Sequence, residues 1–236
     1  MLNSGEGGFL CTDSEEYAAR AACYAGCYEK LYEQHVVAPP AVVFDAVKLE
    51  TPNYSLRMNE LAAACIRPQI DNLEDRVAAY NKRYARVVER LAGCKYMSIP
   101  PYNERVRPVA DSLQFNLLGF DDEGVQAFLA NSKRRGLPVG LFGSKDNSRN
   151  HRTWQYAPTT VELPVTDARI SAAIDVRLPL MFGEEDLDQM CEVLLAAMAD
   201  TTGDPEGASG RCDCFGAERA AAAQIIGYVG ICDGRL

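Results

Sequence analysis

The sequence is poor in histidine, tryptophan and positive charge, and it contains no long hydrophobic run. Its 236 residues include two histidines and one tryptophan. No apolar stretch approaches the roughly 20 residues that a membrane-spanning helix needs. No basic segment followed by an apolar one opens the chain, as it would in a signal peptide. We therefore expect neither a membrane segment nor a leader, and a cytoplasmic location.

The shortage of positive charge also bears on partners. Lysine and arginine total 24 against 33 aspartates and glutamates, giving a net charge of -9 and a pI of about 4.8. Nucleic-acid binding draws its affinity from basic side chains that meet phosphates, so no nucleic-acid partner is expected. The composition, 47% hydrophobic and 24% charged, is that of a globular protein with one or two domains.

Cysteine is present in an odd number, nine, and is mostly scattered singly. A disulfide framework favours an even count in a short, loop-rich chain, so reduced thiols are expected. Cys23 and Cys27 stand four residues apart on a predicted helix and are a possible metal pair. No second pair has zinc spacing and histidine is scarce, so no metal site is predicted.

The amino-terminal stretch is unusually rich in glycine, with Gly5, Gly7 and Gly8 among its first eight residues. Glycine suits positive φ angles and close backbone approach, so a turn is predicted. The apolar run Phe9-Leu10-Cys11 that follows predicts a buried strand. A flexible amino-terminal arm is the alternative for the whole stretch.

Helical patterns dominate the first half of the chain. Capping residues at 12–16 and apolar spacing predict a helix over residues 14–34, which ends before Pro39-Pro40. A longer periodic segment is interrupted by Pro68, which removes a helical hydrogen bond. It predicts one helix over 59–67 and another over 69–92, with Gly93 just past the end.

The second half alternates between strands and helices. Residues 112–118 alternate between apolar and polar and predict a strand, and 137–142 predict another. Acidic first turns predict helices over 121–135 and 184–198. Such an order is typical of an α/β module. From Thr201 the composition is that of a linker, and a poorly ordered tail is expected.

Three motifs in a fixed order resemble those of the DegT-type (DegT/DnrJ/StrS) sugar aminotransferases, which depend on pyridoxal phosphate. The first is Gly5-Glu6-Gly7-Gly8 with Thr12-Asp13, similar to the family's glycine turn and following strand. The second is Arg57-Met58-Asn59-Glu60-Leu61, which is similar to a family helix start. The third is Arg177-Leu178-Pro179-Leu180, followed by Phe182 and by the acidic helix start with Glu185 and Asp186. The resemblance spans roughly residues 3–199.

This resemblance implies an α/β, type I aminotransferase-like fold that is incomplete: the end of the large domain plus the carboxy-terminal small α/β domain. Residues 1–58 are then a remnant of the cofactor-binding domain and 59–92 are kinked connecting helices. Residues 93–200 are the small domain, and 201–236 are the tail.

The resemblance also implies a cofactor site of which this chain holds only a part. The Schiff-base lysine of the family stands about four or five residues before the glycine turn, at or just ahead of Met1. Neither Lys30 nor Lys48 occupies that position, so no catalytic lysine is expected and the chain alone should be inactive.

Other cofactor contacts are implied for the segment just before the second motif. Asn53, Ser55 and Arg57 are implied to contact the phosphate group of the cofactor bound by the neighbouring subunit. In the family an asparagine makes one of these contacts, and here either Asn53 or Ser55 takes its place. The alternative for Asn53 and Ser55 is that they shape the Pro52 turn and cap the next helix.

The segment 149–156 gathers arginine, histidine and the single tryptophan in a predicted loop, and loops of this kind often carry binding residues. We expect His151, Arg152 and Trp154 to lie near the substrate. Packing of Trp154 and a surface position for His151 are the alternatives.

The implied function is transfer of an amino group from an amino acid to a keto-sugar or a similar ketone, in sugar, polysaccharide or antibiotic biosynthesis. A homodimer or a complementary aminotransferase chain is the expected partner. The alternative is a non-catalytic or regulatory subunit of a complete aminotransferase.

Overall fold

A computed structural model describes residues 2–5, 7–26, 31–34, 37–157 and 161–210. Contacts between Cα atoms divide the described chain into two units, which meet between Glu74 and Asp75. Unit 1 comprises the described residues up to Glu74, and unit 2 those from Asp75. None of the described helices is long and apolar enough to cross a bilayer.

Unit 1 is helical. Helix α1 spans Glu15–Tyr24, and the Ser14 hydroxyl caps it by accepting the Tyr17 N–H. The prediction of one helix over 14–34 is wrong, because α1 ends at Tyr24 and Gly26 follows with φ +90°. Glycine in that conformation turns the chain out of the helix.

The remainder of the unit 1 core was not predicted. A 3₁₀ helix covers Leu31–Gln34 and α2 spans Ala41–Val47. The Tyr32 and Phe44 rings stack with centroids 3.9 Å apart. The buried cluster consists of Ala19, Cys23, Tyr32, Phe44 and Val47, so α1 and α2 share one small core.

The two helices around Pro68 differ from the predicted pair in where they break. Helix α3 spans Glu60–Ile70 and contains Pro68, and α4 spans Leu73–Leu91. Proline removes one intrahelical bond, and α3 continues for two residues beyond it. The Asn72 amide, which follows the helix, donates to the Pro68 carbonyl.

Unit 2 is built on a four-stranded antiparallel sheet of order β1-β2-β4-β3. The strands are β1 Met97–Ser98, β2 Ser112–Leu117, β3 Gly140–Leu141 and β4 Ala173–Arg177. The strand predicted over 112–118 is confirmed as β2. The one predicted over 137–142 is reduced to two residues, and β1 and β4 were not predicted.

One face of this sheet carries the hydrophobic core. Leu113, Phe115 and Leu117 alternate along β2 and are buried with Ile174 and Val176 of β4. Helices α5 (Asp122–Arg134) and α7 (Glu184–Thr202) supply apolar partners to the same cluster. Both helices start where their acidic first turns predicted. Between them, α6 spans Pro164–Ser171 and was not predicted.

The part of the predicted tail that is described packs against unit 2. Helix α7 runs to Thr202, and the Lys95 N–H donates to the Gly207 carbonyl at 3.0 Å. The Tyr96 hydroxyl donates to Asp204 at 2.7 Å, and Ala208 is buried in the core. Thr201 is therefore not the start of a loose segment. Residues 211–236 lie outside the described residues.

Candidate functional site

The glycine turn bends as predicted and is attached to α3. Gly5 and Gly7 have φ angles of +93° and +131°. The Asn3 N–H donates to the Gln69 side chain at 3.0 Å, and the Gln69 amide returns a bond of 2.7 Å to the Asn3 carbonyl. A cavity of about 350 Å³ lies beside the turn and is lined by Gly5, Gly7 and Gly8 with Leu2, Asn3, Ser4, Phe9, Ile66 and Leu73. Glu6 lies outside the described residues.

The apolar run after the turn is not the buried strand that its sequence predicts. Phe9 is 61% exposed, Leu10 is 68% exposed, and neither belongs to a strand. All described strands belong to unit 2. Unit 1 therefore offers no sheet, within its described part, against which this segment can pair.

The loop that carries Asn53 and Ser55 is held by the end of α1. The N–H groups of Tyr54 and Leu56 both donate to the Tyr24 carbonyl, at 3.1 and 3.2 Å. The Tyr24 and Tyr54 rings stack almost parallel with centroids 5.5 Å apart. Two hydrogen bonds and a ring stack thus join the loop to a helix end.

Asn53 and Ser55 are in direct contact. The Asn53 side-chain oxygen accepts the Ser55 N–H at 2.8 Å, and Ser55 has a left-handed φ of +54°. A Cβ atom on Gly26 would lie 2.9 Å from that same oxygen. The glycine therefore allows the Asn53 amide to approach the backbone. Nothing in the sequence distinguished Gly26 from the other glycines.

The helix-capping alternative for these residues is wrong, whereas the turn-shaping one is observed. Asn59, not Asn53 or Ser55, caps α3 by accepting the Ala62 N–H at 2.8 Å. Arg57 is exposed on the same loop, and none of the described residues forms an ion pair with it. The loop thus presents an amide, a hydroxyl and a guanidinium to solvent.

The predicted substrate segment lies in unit 2 and is organised by a residue that sequence reasoning missed. Asn150 is 2% exposed, and its amide nitrogen donates to the Gly143 and Ser144 carbonyls. Its side-chain oxygen accepts from the Arg152 backbone N–H and from Arg152 Nε, both at 3.2 Å. Asn150 also precedes a 3₁₀ helix, His151–Thr153, and asparagine before a helical turn is the one signal the sequence offered.

His151 and Arg152 meet a second missed residue, Asp167 of α6. His151 Nε2 lies 3.4 Å from Asp167 Oδ1, and Arg152 Nε lies 3.8 Å from the same atom. Asp167 Oδ1 is buried and accepts no hydrogen bond from the described residues. The alternative of a surface position for His151 is not observed, since only 15% of its side chain is exposed.

Trp154 is placed beside these charges. Its indole N–H donates to the Ser148 carbonyl at 2.7 Å, and its ring stacks on Tyr156 with centroids 5.6 Å apart. A cavity of about 540 Å³ is lined by His151, Arg152, Trp154, Val161, Glu162, Leu163, Pro164 and Asp167. The three residues predicted to lie near the substrate therefore share one cavity.

The shifted pKa values of unit 2 belong to structural groups outside this cavity. Burial raises the pKa of the Cys191 thiol to about 12, which keeps it protonated and unreactive. Burial, with Tyr102 nearby, raises the pKa of Tyr84 to about 12. A hydrogen bond from Arg86 lowers the pKa of Asp188.

A family comparison agrees with this arrangement of motifs. The model of the DegT/DnrJ/EryC1/StrS aminotransferase family matches residues 1–195. The class of protein is thus that of the aminotransferases, and the chain belongs to the DegT/DnrJ/EryC1/StrS aminotransferase family. The resemblance drawn from the three sequence motifs is confirmed. No match was found among the curated proteins.

Solved structures show the same fold at low identity. The 3-amino-5-hydroxybenzoic acid synthase matches with a TM-score of 0.52 and 21% identity, over 64% of this chain and 41% of that one. The sugar aminotransferase CalS13 of Micromonospora echinospora matches with a TM-score of 0.54 and 15% identity, over 67% and 46%. The putative sugar aminotransferase Spr1654 of Streptococcus pneumoniae, in its PMP form, gives 0.54 and 15%, over 64% and 38%. The chain spans less than half the length of each.

Proposed function

We propose that the chain forms the carboxy-terminal part of a pyridoxal-phosphate-dependent aminotransferase of type I fold. The enzyme transfers an amino group from an amino acid to a keto-sugar or a similar ketone, in sugar, polysaccharide or antibiotic biosynthesis. Residues 1–58 contribute the end of the large domain, 59–92 are the connecting helices, and 93–200 are the small α/β domain. The proposal is supported by the family match and by three solved relatives that are each more than twice as long as the matched part.

The observation that carries the proposal is the donor set on the loop after Pro52. Asn53, Ser55 and Arg57 are all exposed there, and amide, hydroxyl and guanidinium groups are the donors that bind phosphate. The Asn53 oxygen is occupied by the Ser55 N–H, which leaves the amide nitrogen to donate. These residues fit the phosphate of a cofactor held by a neighbouring subunit.

The cofactor, when bound, supplies an electron sink for the carbon next to the amine. This chain's own part is to fix the phosphate and to cover the substrate with the segment that carries His151, Arg152 and Trp154. The Schiff-base lysine is assigned to a position before the glycine turn, where this sequence has none. Among the described lysines, Lys48 pairs with Asp45 and Lys95 with Asp204. The chain alone is expected to be inactive.

Association is part of the same proposal. The large apolar side chains of unit 1 that are more than 60% exposed are Phe9, Leu10, Tyr17, Val37, Val42, Leu49, Tyr54, Leu56 and Leu61. Exposed apolar side chains that lie together mark contact surfaces, and we place the contact surface of this chain on unit 1. A second copy or a complementary aminotransferase chain is the proposed partner. The same surface supports the second candidate function, a non-catalytic subunit that completes a partner's cofactor site.

The test follows the backbone amide signals of Tyr54 and Leu56 by NMR while pyridoxal phosphate is added to the chain. Pyridoxal, which lacks the phosphate, is the matched ligand control. We expect saturable shifts with pyridoxal phosphate only, weakened about tenfold by Arg57→Gln, since a charge-assisted contact is lost. Arg67→Gln, which changes an exposed arginine on α3, should have no effect. Equal shifts with both ligands, or none, would refute the phosphate role of the loop.

A further inference from the structure

Helix α6 is attached to unit 2 without burying any of its residues. None of its eight residues, all of which are described, is buried, whereas α5 buries Val125 and Phe128 and α7 buries Leu194 and Met198. Most of the stability of a helix in a protein comes from packing of an apolar face. The attachment of α6 must therefore come from other contacts.

One side of α6 faces the segment 143–154. The residues of α6 that are only partly exposed are Asp167, Ile170 and Ser171, and residues three and four positions apart lie on the same side of a helix. A Cβ atom on Gly143 would lie 2.7 Å from the Ile170 carbonyl oxygen. The glycine thus allows the backbone of α6 to lie directly against this segment.

The side chains on that side of α6 make polar contacts. Asp167 Oδ1 lies 3.8 Å from Arg152 Nε and 3.4 Å from His151 Nε2, and the Ser171 hydroxyl accepts from Arg152 Nη1 at 3.4 Å. The side chains of Arg152 and Asp167 are 40% and 39% exposed. Ion pairs with this exposure contribute little to stability and are screened by salt, so α6 is held weakly.

Arg152 belongs to the fixed side of this contact. Its Nε donates to Asn150 Oδ1 and its Nη2 to the Gly143 carbonyl, both at 3.2 Å. Asn150 is itself buried. The guanidinium therefore stays with the segment 143–154, and the partner that can move away is Asp167 on α6.

The docked position of α6 also has a cost. Asp167 Oδ1 is buried and accepts no hydrogen bond from the described residues. A buried acceptor without a hydrogen bond destabilises the state that buries it, and water would hydrate this oxygen once α6 lifts. The cost offsets part of the attraction to Arg152, so the docked and lifted states lie close in free energy.

The two ends of α6 are held differently. At the carboxyl end, the Ala172 carbonyl accepts the Leu117 N–H of β2 at 2.9 Å, and Ala173 begins β4, an inner strand of the sheet. At the amino end no side chain caps the helix, and Leu163 and Val165 are exposed. A movement of α6 therefore turns about Ala172 and displaces the amino end.

We propose that α6 is a lid, closed by the contact of Asp167 with Arg152 and His151 and opened by rotation about Ala172 while the sheet of unit 2 stays folded. The amino end carries Leu163, which lines the cavity of about 540 Å³, so opening widens access to that cavity. The inference goes beyond the proposed function, because it requires neither a cofactor nor a substrate.

The test measures backbone hydrogen exchange by NMR on the whole chain, without ligand and at constant pH. A helix of eight residues is unstable in water when it is not packed, so its amides exchange when the lid opens. We expect the amides of α6, including that of Asp167, which donates to the Leu163 carbonyl, to exchange at least about 100-fold faster than the central amides of α5 and α7. Low concentrations of urea should leave this exchange unchanged, because local opening exposes little surface.

Salt tests the ionic part of the contact without any variant. Raising the sodium chloride concentration should speed exchange in α6 about threefold, since it screens a partly exposed ion pair, and should leave α5 and α7 unchanged. Exchange in α6 that does not respond to salt would contradict closure by the Arg152–Asp167 pair.

Variants identify the closing contact. Asp167→Asn should speed exchange in α6 about threefold and remove the salt effect. Glu162→Gln is the matched carboxylate-to-amide control, at an exposed position that lines the same cavity, and should change neither. In a double-mutant cycle, Arg152→Gln with Asp167→Asn should be no faster than the faster single variant, because both remove the same pair. Thermal unfolding shows whether each variant is folded.

Two results would overturn the proposal. If the amides of α6 exchange only as slowly as those of α5 and α7, the helix opens with the whole unit and is not a lid. If Asp167→Asn slows exchange in α6, the buried oxygen outweighs the ion pair and Asp167 does not close the lid. The titration of Tyr54 and Leu56 with pyridoxal phosphate concerns unit 1, so its failure is distinguishable from a failure here.

Discussion

Arg86 of α4 and Asp188 of α7 form a two-pronged ion pair, with Nε 2.9 Å from Oδ1 and Nη2 2.8 Å from Oδ2. Parallel donors of this kind are the strongest arginine–carboxylate geometry. The pair joins two helices that cover the sheet of unit 2, so its effect should appear in the stability of that unit.

Acid should destabilise unit 2 through this pair. The hydrogen bond from Arg86 lowers the pKa of Asp188 in the folded state, so the stabilisation is complete above the unfolded pKa, about 4. It is lost as the pH falls through the folded value. Unfolding in urea at a series of pH values measures the effect. Between about pH 4 and pH 2, the free energy of unfolding should fall less in Asp188→Asn than in the wild type. Glu192→Gln, which changes an exposed partner of Arg90, is the control. If the free energy of unfolding falls as much in Asp188→Asn as in the wild type, the Arg86–Asp188 pair is not the cause of the acid destabilisation.

Gly26→Ala should loosen the loop that carries Asn53 and Ser55. The new Cβ would lie 2.9 Å from the Asn53 oxygen at a φ of +90°, and a left-handed non-glycine residue alone costs about 1–2 kcal/mol. Hydrogen exchange at the Tyr54 and Leu56 amides, which donate to the Tyr24 carbonyl, should become faster. Gly8→Ala, where no atom lies within 4 Å and φ is not positive, should leave both amides protected. Unchanged protection in Gly26→Ala would show that the contact does not hold the loop.

Asn150→Ala should loosen the segment that carries Arg152. The change removes donors to the Gly143 and Ser144 carbonyls and the acceptor of Arg152 Nε. A buried group left without its partner costs about 1–3 kcal/mol, measurable as a shift in urea unfolding. Asn103→Ala, on an exposed turn, should cost much less. If both variants unfold alike, Asn150 is not the organiser of this segment.

Borohydride reduction of the chain with pyridoxal phosphate should fix no pyridoxyl group stoichiometrically on one lysine. The proposed position of the reactive lysine precedes the glycine turn, and Lys48 and Lys95 are engaged with carboxylates. Mass spectrometry of peptides reads the result, with the substoichiometric labelling of unrelated surface lysines as the background. Complete labelling at one residue, together with amino transfer by the chain alone, would overturn this part of the proposal.

The sequence predicted those helices and strands that carry a strong pattern within their own residues. Strand β2 alternates strictly, and α5 and α7 begin with acidic first turns, so their positions followed from the sequence. Strand β4 has the same alternation, with Ile174 and Val176 buried, but it lies directly behind α6, and no turn signal separates them. The predicted strand at Phe9 shows the opposite failure, because an apolar run specifies a strand only where a sheet is present to receive it.

The residues of the candidate site also fall into those that the sequence could reveal and those that it could not. Asn53, Arg152 and Trp154 could be found as chemically capable residues in loops. Asp167 and Gly26 could not, since each acts on a partner that only the fold brings near: Arg152 for the first and Asn53 for the second. Asn150 stands next to the residues it orients, but its bonds to the Gly143 and Ser144 carbonyls depend on the fold of the loop. Function-bearing side chains are visible in a sequence, whereas the residues that orient them depend on long-range packing.

The return of residues 203–210 onto unit 2 sets a practical boundary. An expressed fragment that ends at Thr202 would leave the Lys95 N–H and the Tyr96 hydroxyl without their acceptors and would uncover the surface that Ala208 fills. A fragment that begins at Asp75 and ends after Gly210 retains all three contacts. For crystallisation or NMR of unit 2, the second end point is the one to clone.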